Sequence, residues 1–235
     1  WDGKHELDAS IMHGAQLNAG AVAGVTTVQS PIALARAVME QSPHVMLASK
    51  GAELFARELG VPEVSPAYFE TERRKRALES YKARKQAGVE PRVDYKFGTV
   101  GVVVLDSKGN LVAGTSTGGM TGKRWGRIGD APVIGAGTYA DNRSCAVSAT
   151  GHGEYFIRHT VARDICARMQ FAGQSLQEAA ETVITDELVA AGGDGGVVAV
   201  DASGEVSMVF NTPGMYRASV SGSGEKRIGI FGDEP

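Results

Sequence analysis

The chain has 235 residues and 24.6 kDa, a length that suits one or two domains of ordinary size. Hydrophobic residues make up 43% and charged residues 22%, the balance of a globular domain with a core of its own. With 24 basic against 27 acidic side chains the formal charge is −3, which excludes a global field recruiting nucleic acid or anionic lipid.

No apolar run approaches the roughly 20 residues of a membrane span, and nothing reads as a signal peptide. Cys145 and Cys166 sit in unlike contexts and form no CxxC pair, which fits a reducing compartment and a cytoplasmic location. Glycine, at 31 residues, is about twice its ordinary share, so many tight turns or close backbone approaches are expected. The chain opens at Trp1, inside a patterned segment, and reads as a fragment.

His5–His13 and Ala19–Val28 are small-residue, β-leaning runs joined by a Gly/Asn turn, which predicts a hairpin. Ser30 then Pro31 marks a helix start, and Ile32, Ala35, Val38 and Met39 share one face, predicting a helix over 31–41. A short buried strand over His44–Ala48 and a second helix over Gly51–Leu59 follow, the latter stopped by Gly60 and Pro62. Residues 66–98 form a charged linker: helical and strongly basic to Gly88, then trailing through VEPRVDYKF. A nucleic-acid arm would need interleaved aromatics, so a solvated helix with a flexible tail is the better reading.

After Phe97 the character changes. TVGVVVLD, a Lys108-Gly109-Asn110 turn and LVAGTST predict a hairpin over Thr99–Thr117. Val133–Tyr139 and Ser144–Thr150 flank Asp141-Asn142-Arg143 as a second hairpin. Two long helices over Glu154–Met169 and Leu176–Leu188 precede β-runs at Gly196–Val200, Glu205–Phe210 and Lys226–Phe231. Hairpins bracketing a pair of helices imply an α+β layer architecture.

Several familiar patterns fail. Gly135-Ala136-Gly137-Thr138-Tyr139-Ala140 matches a dinucleotide fingerprint, but a turn follows where a helix N-terminus is needed. Gly122-Lys123 resembles the end of a phosphate loop, but Thr117 stands where the leading glycine belongs. His5 and His13 have no metal-ligand spacing, so no metal site is assigned.

What remains is a density of Thr and Gly: Gly98-Thr99-Val100-Gly101, Thr115-Ser116-Thr117-Gly118-Gly119 and Thr150-Gly151-His152-Gly153-Glu154. Each patch alone reads as β architecture. Together they allow a nucleophilic threonine activated by its own α-amine, which requires a cut immediately before it. Thr99 is placed for this, since the linker ends at Gly98 and a strand begins at Thr99.

HELDASIMHG, NAGAVAGV, ARAVMEQSPHVM, TSTGGMTGK, GRIGDAPVIGAGTYAD, ATGHGE and FNTPGMYRA, in this order, resemble the plant-type L-asparaginase/isoaspartyl peptidase family of N-terminal nucleophile (Ntn) hydrolases across essentially the whole chain. The resemblance implies an α+β fold, a four-layer αββα sandwich. It also implies cleavage of Gly98–Thr99 into a 1–98 α subunit and a 99–235 β subunit that stay associated and pair into (αβ)2. By the same resemblance Thr99 is the nucleophile, and Thr115 and Thr117 are hydroxyls that bond it and support the cut. Arg127 and Asp130 grip the substrate's α-carboxylate and α-ammonium, as a guanidinium fork and a carboxylate suit. Thr150 and Gly151 donate to the oxyanion, and the Gly153 carbonyl is a further ammonium acceptor. The implied substrates are L-asparagine and β-aspartyl (isoaspartyl) dipeptides, with neither nucleic acid nor membrane as partner and no cofactor in the chemistry.

The family carries several dozen residues ahead of the match to Trp1. They include a first core strand, two helices, a loop binding a structural alkali cation (Na), and an Asn that orders the nucleophile. A sheet without that strand is expected to expose unpaired backbone and apolar surface. The alternatives are a glycosylasparaginase-like amidase, whose usual secretion signal and disulfides are not evident here, and a truncated non-catalytic homologue.

Overall fold

The computed structural model describes residues 1–89 and 98–234. Its first sheet begins with an antiparallel hairpin, β1 (Leu7–His13) and β2 (Asn18–Val25). β1 pairs on its other side with β5 (Leu111–Thr117), which pairs antiparallel with β4 (Thr99–Leu105). A short parallel strand, β3 (Met46–Ala48), closes the far edge and completes the order β3-β2-β1-β5-β4.

The second sheet has the order β6 (Thr138–Ala140), β7 (Cys145–Gly151), β8 (Gly195–Asp201), β9 (Val206–Ser207), all antiparallel. A separate two-stranded unit, β10 (Arg217–Val220) with β11 (Lys226–Gly229), follows. The fold is mixed α+β.

Two apolar clusters stabilise it, because each sheet turns one face to helices. Ala9, Val22 and Val25 of the first sheet bury against Leu34, Ala35 and Val38 of α1 (Pro31–Gln41) and Ala52 and Ala56 of α2 (Ser49–Glu58). Val147, Ala149, Val197 and Ala199 of the second sheet bury against Phe156 of α4 (Gly153–His159), Ile165 of α5 (Val161–Ala172) and Leu176 of α6 (Leu176–Glu181). β4 and β5 lie in contact with β7, so the inner faces of the two sheets meet. β4 forms one edge of the first sheet, and Val100, Val102 and Val104 on its outer face are exposed.

α3 (Glu72–Gln86) has no buried residue, as expected of a solvated helix, although Tyr81 lies against Gly122 of the loop after β5. The expected trailing linker falls on residues 90–97, outside the described residues.

Several sequence expectations need correction. β3 is not buried: Met46 is 41% exposed, since the strand is an edge with a partner on one side only. Residues 133–137 form turns rather than a strand, because Val133 N–H and Gly137 N–H both fold back onto the Asp130 carbonyl. The helix after Gly153 breaks at Thr160 (φ 48°), which lets the first N–H groups of α5, from Ala162 and Arg163, reach the carbonyls of Ala136 and Gly135. The last long helix passes through a π-helical segment, Thr182–Glu187, before α7 (Leu188–Ala190). There the Thr182 and Thr185 hydroxyls bond back to the Glu178 and Glu181 carbonyls, competing with the helical ladder. The strand expected over 205–210 shrinks to β9 plus an isolated bridge from Phe210 to Gly196, and β10 was not anticipated.

The two cysteines are joined as a disulfide. α5 packs across β7 and brings their Cα atoms to 5.4 Å, a juxtaposition that spacing along the chain cannot reveal. The reading of two unpaired thiols is therefore overturned, and so is the missing disulfide as a mark against a glycosylasparaginase-like enzyme. Among the described residues, no helix is long and apolar enough to cross a membrane.

Candidate active site

Strand register assembles the site. Thr99 on β4, Thr117 on β5 and Asp8 on β1 lie directly opposite one another in one row. Gly101, Thr115 and Ser10 form the next row. Opposed residues share a face, and here that face looks toward the second sheet. The Thr117 hydroxyl donates to the Gly98 carbonyl oxygen at 2.6 Å. It accepts from the Gly119 N–H at 3.0 Å and from the Thr99 hydroxyl at 3.3 Å. A hydroxyl has one proton, so these three contacts define a direction: Thr99 to Thr117 to the carbonyl of the residue before Thr99.

A cleft opens at this end of the sheets, walled by Gly98, Thr99, Thr117, Gly119 and Met120 on one side and by Arg127, Gly129, Asp130, Thr150 and Gly151 on the other. Its enclosed volume is about 30 Å³. Sites for small molecules run to several hundred Å³, so with the Gly98–Thr99 bond intact the cleft has room for little more than water. Gly98 itself forms part of the wall.

Thr150 and Gly151 end β7. Gly151 has φ +155° and faces Gly195 across the ladder, with the Asp194 carbonyl and the Phe156 ring where a side chain would stand. Only glycine fits there. Arg127 offers Nε and Nη2 to the two Glu154 oxygens at 2.9 and 2.8 Å. The guanidinium holds the Glu154 carboxyl below its usual range. Glu154 is also 3.3 Å from His152 Nε2. The Nη1 side of Arg127 stays clear of Glu154 and lies over Gly129.

Asp130 is 7% exposed, and its Oδ2 is a buried acceptor with no hydrogen-bond partner among the described residues. Burial pushes its pKa up to about 6, opposed by the neighbouring Arg127 charge. A buried, unmatched carboxylate oxygen is costly unless a cation completes it. Asp130 and Arg127 converge on one spot: a Cβ added to Gly153 would stand 2.8 Å from Asp130 Oδ1 and 2.9 Å from Arg127 Nη2.

Of the residues singled out from sequence, Gly98, Thr99, Thr117, Arg127, Asp130, Thr150 and Gly151 come together in the cleft. Thr115 and Gly153 do not. Thr115 lies one row deeper, bonded to the Gly137 carbonyl at 3.0 Å and to Ser148 Oγ at 2.7 Å rather than to Thr99. Gly153 opens α4, and a side chain there would run into Asp130 and Arg127. Sequence reasoning missed Glu154 as the Arg127 partner, although its spacing within TGHGE was in view. It also missed Asp8, fully buried opposite Thr117, whose Oδ2 has no hydrogen-bond partner among the described residues and whose carboxyl burial pushes up in pKa. Among the described residues, no group of three or more His, Cys, Asp or Glu is placed to hold a metal ion.

Residues 1–230 match the family described as Asparaginase (Asparaginase_2). The chain is 52% identical over 224 residues to an isoaspartyl peptidase of Escherichia coli (strain K12), covering 92% of this chain and 69% of that protein. It is 43% identical over 252 residues to a probable isoaspartyl peptidase/L-asparaginase 2 of Arabidopsis thaliana, covering 97% and 77%. An isoaspartyl peptidase/L-asparaginase of Bos taurus is 41% identical over 233 residues, with 99% and 75% covered.

Proposed function

The chain belongs to the Asparaginase (Asparaginase_2) family, and we propose on that footing that it is a self-processing hydrolase of L-asparagine and β-aspartyl dipeptides, with Thr99 as nucleophile. The observation that carries this reading is the shared cleft. The Gly98–Thr99 peptide bond, polarised by Thr117, sits in the same small space as Arg127, Asp130, Thr150 and Gly151.

Maturation comes first. Thr99 Oγ attacks the Gly98 carbonyl carbon, the C–N bond breaks, and the Thr99 nitrogen leaves as an amine. The acyl group now rests on Oγ as an ester. Thr117, donating to the Gly98 oxygen, stabilises the charge that develops on it. Water then hydrolyses the ester and releases a Gly98 carboxylate. The new α-amine of Thr99 serves as the base that an isolated threonine hydroxyl lacks. Departure of Gly98 also removes part of the cleft wall, opening the space a substrate needs.

In turnover Thr99 Oγ attacks the side-chain carbonyl of asparagine or the β-linked carbonyl of an isoaspartyl dipeptide. The oxyanion is met by the Thr150 hydroxyl and the Gly151 N–H, and ammonia or an amino acid leaves. Water then hydrolyses the β-aspartyl ester. Both substrates present the same free α-ammonium and α-carboxylate. The unpartnered Asp130 Oδ2 suits the first, and the Arg127 N–H groups not engaged by Glu154 suit the second.

The chain is read as a single domain, cut into 1–98 and 99–235. A four-layer αββα arrangement is supported by the two helix-backed cores and by the contact of β4 and β5 with β7. Pairing of the αβ units into (αβ)2 follows from the family resemblance.

The test is the intact mass under denaturing conditions, followed by asparagine and isoaspartyl dipeptide assays. Two fragments meeting at Gly98/Thr99 are expected, and Thr99→Ala is expected to remain one inactive chain. Turnover by Thr99→Ala would refute the nucleophile. Hydrolysis of a sugar-linked asparagine in preference to both substrates would favour the glycosylasparaginase-like alternative.

A further inference from the structure

We propose that four buried hydroxyls outside the cleft, those of Ser10, Thr138, Thr115 and Ser148, form a brace that sets the separation between the nucleophile Thr99 and the substrate-gripping Asp130. The proposal rests on the function given above and assigns positioning residues to it. Ser10 and Thr138 are 0% exposed, Thr115 1% and Ser148 3%. Ser10 Oγ lies 2.7 Å from Thr138 Oγ1, Thr138 Oγ1 lies 2.6 Å from Thr115 Oγ1, and Thr115 Oγ1 lies 2.7 Å from Ser148 Oγ. Two of these hydroxyls belong to the first sheet and two to the second, so the chain of bonds stitches the sheets together.

The brace reaches the site by short paths, some covalent and some through a backbone carbonyl. Thr115 stands two residues before Thr117, and its ladder partner Gly101 stands two after Thr99. Ser148 stands two residues before Thr150 on β7. Ser10 donates to the carbonyl of Ala131, the residue after Asp130, at 2.6 Å. Thr115 donates to the carbonyl of Gly137, and the Gly137 N–H bonds the Asp130 carbonyl at 3.2 Å. The Asp130 backbone is thus bracketed by two carbonyls that the brace holds. Close approach is built in as well, since Ser148 Oγ occupies the space where a Cβ on residue 101 would lie. The four hydroxyls carry four protons for five contacts, so with the Ala131 and Gly137 carbonyls bonded the Ser10–Thr138 contact shares a proton rather than owning one. A buried network this dense is still rigid, and rigidity is what a fixed nucleophile-to-ammonium distance requires.

Self-cleavage draws on Gly98, Thr99, Thr117 and Gly119, which lie on β4 and β5 of the first sheet or flank them. Hydrolysis of an external substrate also needs Arg127, Asp130 and Thr150. Loosening the brace should therefore separate the two reactions. The experiment compares wild type with Thr138→Val, Ser10→Ala and Thr138→Ser. It measures the rate of self-cleavage, the kcat and KM for asparagine, and the melting temperature. Thr138→Val and Ser10→Ala are expected to cut themselves at close to the wild-type rate yet lose about 10- to 100-fold in kcat/KM. Thr138→Ser, which restores the hydroxyl, is expected to recover most of that loss. Wild-type kcat/KM in both hydroxyl-deleted variants overturns the brace while leaving the function standing. So does a parallel fall of cleavage, turnover and melting temperature that Thr138→Ser does not relieve. A wild type that neither cuts itself nor hydrolyses asparagine or an isoaspartyl dipeptide overturns the function, and the brace with it.

Discussion

The Thr117 hydroxyl donates to the Gly98 carbonyl oxygen at 2.6 Å, at the Gly98–Thr99 bond proposed to break in maturation. Its single proton is committed there, and its lone pairs face the Gly119 N–H and the Thr99 hydroxyl. Removing one preorganised donor to a developing oxyanion typically costs about 100- to 1,000-fold in rate. Thr117→Val is expected to slow self-cleavage by that order, and Thr117→Ser to restore it. A time course of fragment appearance on denaturing mass spectra checks both.

Asp130 is expected to set the pH dependence of substrate binding. Its carboxyl, pushed up by burial to about 6, must be ionised to hold an ammonium. KM for asparagine is expected to rise as pH falls through about 6, with less change in kcat. The stability effect has the opposite sense. A carboxylate with a raised folded-state pKa binds more protons folded than unfolded between about 4 and 6, so stability declines as pH rises across that window. Asp130→Asn is expected to melt above wild type at pH 7 and to lose that advantage near pH 4, while failing to bind substrate. Thermal melts at the two pH values decide the matter.

Arg127 lines the cleft with its fork closed on Glu154, and no hydrogen bond joins it to Gly98 or Thr99 among the described residues. Arg127→Ala should spare self-cleavage and abolish detectable saturation with asparagine. Lysine carries the charge without the planar fork, so Arg127→Lys should restore little. Glu154→Gln is expected to raise KM by roughly 10-fold, because one partly buried charge-assisted pair is weakened. Steady-state kinetics on the matured protein tests all three.

The Cys145–Cys166 link is directly countable. Thiol titration in denaturant without reductant is expected to find none free, and after reduction two. The loop it closes spans 21 residues, so Cys166→Ala should lower stability by about 2–4 kcal/mol in denaturant melts. Asparagine turnover at room temperature should survive, since neither sulfur reaches the cleft.

Local chemistry was enough to place much of this molecule. Ser30-Pro31 and the apolar spacing behind it mark α1, whose observed span is Pro31–Gln41. The Lys108-Gly109-Asn110 turn likewise announces the β4–β5 hairpin. These signals are short in range, because capping, turn conformation and periodicity act within a few residues. The clustering of Thr and Gly around Thr99, Thr117 and Thr150 was legible for the same reason, as was the idea of a cut before Thr99. What lay out of reach was which hydroxyl faces which. Thr115 and Thr117 are neighbours of one kind along the chain, yet register sends Thr117 to the Gly98 carbonyl and Thr115 into the brace between the sheets. The Arg127–Glu154 fork, the unmatched oxygen of Asp130 and the disulfide between β7 and α5 join residues separated by 21 or more positions or depend on burial. Such contacts arise only when two sheets and their helices pack, because packing alone decides which distant groups lose water together.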